Sequence, residues 1–111
     1  MDLTHIDQTI QAKQNELDSM HHQAQTQRDL ADAQHDSGNS AGAQPYEHEA
    51  THLEQKAQVI SKELANLHAQ RQSLEQQVHG LEQQRDKLMQ TFESQMAQLN
   101  NKISALRGGG M

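Results

Sequence analysis

The chain has no cysteine and no tryptophan, and only one proline, one tyrosine and one phenylalanine. Without cysteine there can be no disulfide, no thiolate metal site and no cysteine nucleophile. An aromatic content of 2 % leaves too little bulk for a globular core of ordinary depth. Strand formers are also scarce, being Val59, Val78, Ile6, Ile10, Ile60 and Ile103, and no segment alternates with period two, so a β-sheet has almost no support. No window reaches the roughly 18 consecutive apolar residues of a membrane span. The start, Met1-Asp2-Leu3-Thr4-His5, lacks the basic and then apolar pattern of a secretory signal. A cytoplasmic location is the expectation, with signal-independent export left open. The chain contains no G-x-x-x-x-G-K-[ST], G-x-G-x-x-G or G-x-S-x-G loop, so phosphate cradles and the nucleophile elbow are missing as well.

What remains is very rich in glutamine, which together with alanine, leucine, glutamate, lysine and arginine makes a composition of good helix formers. From Tyr46 onwards, apolar residues recur in steps of four and three. They are Tyr46, Ala50, Leu53, Ala57, Ile60, Leu64, Leu67, Leu74, Val78, Leu81, Leu88, Phe92, Met96, Leu99, Ile103 and Leu106, with Arg71 and Arg85 at two of the seam positions. A heptad seam of this length cannot be hidden by one helix alone and requires partner helices. Residues 2–36 carry a second seam of Leu3, Ile6, Ile10, Lys13, Leu17, Met20, Ala24, Gln27 and Ala31, which weakens after Met20. Asp2 or Thr4 can cap its start, and Asp7 should lie in its first turn. Asp29, Asp32 and Asp36 put the wrong sign of charge at its end, which predicts a frayed terminus.

Between the seams lies Ser-Gly-Asn-Ser-Ala-Gly-Ala-Gln-Pro, which predicts a loop over 37–45, with Pro45 entering the first turn of the next helix. The expected fold is all-α: an antiparallel helical hairpin with unequal arms, made of a helix over 2–36 and a long coiled-coil helix over 46–107, forming one domain over 1–107. A turn near residue 41 would set Leu3 opposite His79, so the first helix would run out near Gly80. Lys13 and Arg71 would then stand at one height. The arm from Leu81 to Arg107 would lack an internal partner, and its steps of four from Leu88 to Phe92 to Met96 form a stutter in the heptad. Gly108 to Met111 reads as a disordered tail.

Charge is divided unevenly. Residues 1–50 hold nine acids against Lys13 and Arg28, a balance of −7, and residues 51–111 hold six acids against seven bases, a balance of +1. Neither half concentrates bases into a phosphate-binding stripe, which argues against nucleic acid as a partner.

One short motif suggests chemistry. His48-Glu49-Ala50-Thr51-His52 reads H-E-x-x-H, and its spacing resembles that of the zinc metallopeptidases, where two histidines on one helical face hold zinc and the glutamate polarises a bound water. The resemblance covers five residues. With Ala50 and Leu53 on the seam, His48 and His52 point outward, and Glu63 or Glu75, the acids on offer as a third ligand, lie farther along the same straight helix and would reach a zinc only if that helix broke. The two histidines are weak metal candidates, and no cofactor and no catalytic residue is expected. Asp32, His35 and Asp36 form a second cluster, where a cation or a protonated His35 would offset the acidic helix end.

The expected function is non-enzymatic: a self-associating coiled-coil adaptor that bridges or scaffolds protein partners. Its interface would be Leu81, Leu88, Phe92, Met96, Leu99, Ile103 and Leu106. The alternative is a small secretion-related protein, either an export chaperone or a secreted or polymerising hairpin. In outline the chain is similar to the WXG-type secreted hairpins, but their Trp-x-Gly loop is absent, so no family follows.

Overall fold

The computed structural model describes residues 2–108. Two helices account for nearly all of them: α1, Leu3–Asp36, and α2, Ser40–Leu106, with no strand among the described residues. The chain divides into two units between Leu74 and Glu75.

In the first unit, α1 packs antiparallel on the first half of α2. Asp2 caps α1, its carboxylate accepting from the His5 N–H at 2.8 Å. Asp7 lies beyond the first turn and turns instead towards α2. The other end of α1 stays helical through Asp36 despite its three aspartates, because its last carbonyls are satisfied. The Gly38 N–H donates to the His35 carbonyl at 3.0 Å, and the Asn39 N–H donates to the Gln34 carbonyl at 2.8 Å. This closure needs a left-handed residue, and Gly38 provides it with φ +82°.

Asn39 then opens α2, its side-chain oxygen accepting from the Gly42 N–H at 3.0 Å. The link is therefore Ser37, Gly38 and Asn39, not the nine residues that composition suggests. Residues 40–45 are helical, and Pro45 lies inside α2. Two features carry the helix through that segment. Asn39 caps it early, and Ala43 is fully buried, extending the α2 seam one heptad upstream of Ala50. Gly42 is also specific. A Cβ there would meet the Asn39 amide and lie 2.9 Å from the Gln34 side-chain oxygen, two groups that already bond to each other.

The short link moves the register. Asp7 of α1 meets Arg71, Lys13 meets Glu63, Arg28 meets Glu54 and His35 meets Glu47. Lys13 and Arg71 are thus at different heights, each paired with an acid of the other helix. The boundary of this unit falls at Leu74, earlier than Gly80, since the missing loop residues pull α2 back along α1.

The core is the seam. Ile6, Leu17, Ala24 and Ala31 of α1 and Ala43, Ala50, Leu53, Ala57, Ile60 and Leu64 of α2 are buried. The remaining seam positions down to Leu74, including Lys13 and Arg71, are half-buried. Near the link the facing residues are alanines, which bring the helix axes together. Farther away Leu17, Ala57, Ile60 and Leu64 cluster with Ile10 and Met20. Outward faces are laced with glutamine bonds one turn apart, such as Gln14 to Asp18 and Gln25 to Asp29, both at 3.0 Å.

The second unit holds the remainder of α2. Arg107 and Gly108 close it. The Gly108 N–H donates to the Ala105 carbonyl at 3.2 Å, and Gly108 takes φ +80°, so this glycine belongs to the helix end and not to a disordered tail. Residues 109–111 of that expected tail lie outside the described residues.

Two outcomes follow. Gly38→Ala should destabilise the chain by about 1–2 kcal/mol in urea unfolding, the cost of a left-handed non-glycine residue. A second concerns Lys13, whose ammonium is held above its ordinary value of 10.5 by a hydrogen bond to Glu63, then by the Glu63 charge, with Glu16 adding to both. A raised lysine pKa gives stability that is complete below the unfolded value and fades as pH rises through the folded one. Between about pH 9 and 12, the urea midpoint should therefore fall more steeply for the wild type than for Glu63→Gln.

Candidate functional site

The H-E-x-x-H residues lie on the third turn of α2 and the start of the fourth, where Ala50 takes the buried position between them. His48, Glu49 and His52 are all exposed. His48 lines an open depression with Ala41, Gln44, Pro45, Glu47 and Thr51, and His52 lies outside it. No group of three or more His, Asp or Glu among the described residues is placed to hold a metal ion. Glu63, the nearest acid that sequence spacing offers as a third ligand, faces Lys13 at 2.7 Å.

His35 does not sit between Asp32 and Asp36 as a closed cluster. Its Nδ1 lies 3.2 Å from the Ser40 hydroxyl and its Nε2 lies 2.5 Å from a Glu47 oxygen, so it spans the link to α2. The nine-residue loop expected from composition hid this contact, because it placed Ser40 outside any helix. Serine, histidine and carboxylate stand in the order of a nucleophilic triad, but all three are exposed. Activation of a serine depends on a shaped, water-excluding site. The arrangement ties the two helices together across the turn.

The larger feature is in the second unit. Leu81, Leu88, Phe92, Met96, Leu99, Ile103 and Leu106, the seven residues that the heptad marks as an interface, are all exposed, Phe92 at 63 % and Leu88 at 72 %. Val78 and Met89 join them. Val78 lies on the same seam, and the expected break at Gly80 had placed it with the hairpin. Met89 stands beside Leu88 and fills the stutter. Before Leu74, the exposed large apolar side chains among the described residues are only Leu30 and Val59. Apolar side chains scattered singly are normal on a protein surface, whereas a contiguous stripe marks an interaction site. Arg85 interrupts the stripe and pairs with Asp86 at 3.1 Å. Among the described residues no helix is long and apolar enough to cross a membrane.

Metal analysis should find substoichiometric zinc in the purified chain. The double variant His48→Gln, His52→Gln should keep its unfolding free energy within about 0.5 kcal/mol of the wild type. Tightly held zinc at one per chain would reverse this assignment.

No protein-family model, no curated protein and no solved structure matches this chain.

Proposed function

We propose that this chain is a non-enzymatic, self-associating coiled-coil protein that bridges or scaffolds protein partners, with the arm over 75–106 as its association surface. The observation that carries this reading is the exposed apolar stripe from Val78 to Leu106 on one face of a continuous helix. A water-exposed helix is stabilised mainly by packing its apolar face, so a stripe of this kind calls for another helix. The heptad spacing, with one stutter, suits a helical partner better than a flat surface. The outward positions of His48 and His52, away from any cleft, suit a role without catalysis. The acidic first half, with a balance of −7, and the dispersed bases of the second support protein over nucleic acid as the partner.

Phe92 is the only phenylalanine and stands near the middle of the stripe. Phe92→Asp should reduce the mass measured by light scattering to that of one chain, 12.5 kDa, while far-ultraviolet circular dichroism still reports a helical first unit. An oligomer of unchanged mass would remove the arm as the interface.

A further inference from the structure

The spacing of the stripe carries information about how two arms meet. Phe92 stands at its middle. Back from Phe92, the seam steps by four, three, four and three to Leu88, Arg85, Leu81 and Val78. Forward from Phe92, it steps by four, three, four and three to Met96, Leu99, Ile103 and Leu106. Turned end over end, the stripe therefore matches itself layer for layer.

We propose that two copies of this chain pair antiparallel through the arm, with Phe92 beside the partner's Phe92. The inference rests on the arm being a self-association surface, and it adds orientation and register. In this register Leu81 meets the partner's Ile103 and Val78 meets the partner's Leu106. A shift of one heptad either way leaves apolar layers of the stripe uncovered at the ends. Full overlap covers the exposed apolar side chains most completely, and burying them is the main source of affinity.

A parallel pair in register also covers the whole stripe, so charge must decide between the two. Arg85 lies at a seam position. In the parallel pair it stacks on the partner's Arg85 within an apolar layer, where two like charges are costly. In the antiparallel pair it meets the partner's Leu99, an apolar side chain along which the arginine stem can lie while its head stays in water. Asp86 already accompanies that guanidinium. The flanking charges point the same way. In a parallel pair Lys102 would come beside the partner's Arg107, five residues on, a like-charge contact that the antiparallel pair avoids. Such contacts decide orientation more than affinity.

The chain has no cysteine, so single labels can be placed cleanly. Gln76 and Gln90 are exposed on the arm. A nitroxide on Gln76→Cys would stand opposite the partner's Gly108 in the proposed register. The distance between the two labels, read by pulsed dipolar spectroscopy, should be about 50 Å, from a rise of 1.5 Å per residue. The label on Gln90→Cys lies near the centre and should give less than about 20 Å, the helix spacing plus two label arms. A Gln76 distance also below about 20 Å identifies parallel packing and overturns the orientation while leaving self-association intact. A light-scattering mass of one chain, for labelled and unlabelled protein alike, overturns the self-association reading itself.

Discussion

The unequal lengths of the two helices govern this molecule. α1 has 34 residues and α2 has 67, joined by a link of three residues. A tight link fixes which residues lie side by side, since every residue removed from a loop pulls the second helix back along the first. Gly38 and Asn39 make that link. One supplies the left-handed turn, and the other accepts at the start of α2 while its own N–H closes α1. The α1 seam is then used up against residues 43–74, where the buried and half-buried positions of α2 lie. From Val78 on, the same periodicity continues in a segment whose large apolar side chains face water. The surface proposed for association is thus a consequence of where the turn falls.

The paired region is held by a thin core. Half of its buried residues are alanines, which allow close approach but remove little apolar surface from water. The larger contribution comes from Leu17, Ile60 and Leu64, with Ile10 and Met20 packed against them. The cross-helix ion pairs of Lys13, Arg28 and Arg71 are all partly exposed, and pairs of this kind contribute little net stability. Their value is in selection. Each joins an acid to a base only in this antiparallel register, so together they disfavour a helix slipped by one turn. With so small a core, helical pairs of this size gain much from further packing.

The periodic features could be read from sequence, and the local ones could not. Every seam position in residues 3–74 is buried or half-buried, because heptad spacing reports directly which face of a helix meets another. The link is shorter than composition suggests, although Gly42 and Pro45 are usual helix breakers. Gly42 leaves room for the Asn39 and Gln34 side chains that bond beside it, and Pro45 is carried by the buried Ala43 before it and the cap at Asn39. The shorter link shifts the register, and with it Lys13, Arg71, Val78 and the Ser40–His35–Glu47 contact. The outward orientation of His48 and His52 followed from the same periodicity and needed no knowledge of the link. The exposed stripe was legible for the same reason, whereas its partner is not encoded in periodicity alone. The symmetry of its spacing about Phe92 and the placement of Arg85, Lys102 and Arg107 bear on that partner.

The central claim is that the stripe of the second unit is covered by another copy of the chain. Amide hydrogen exchange resolved along the sequence, measured across a wide range of protein concentrations, tests this most directly. A helix that is completed by association opens less often when association is favoured. Protection over 75–106 should rise with concentration, while protection over α1 and residues 40–74 stays constant. Protection of 75–106 that does not change with concentration would contradict the account.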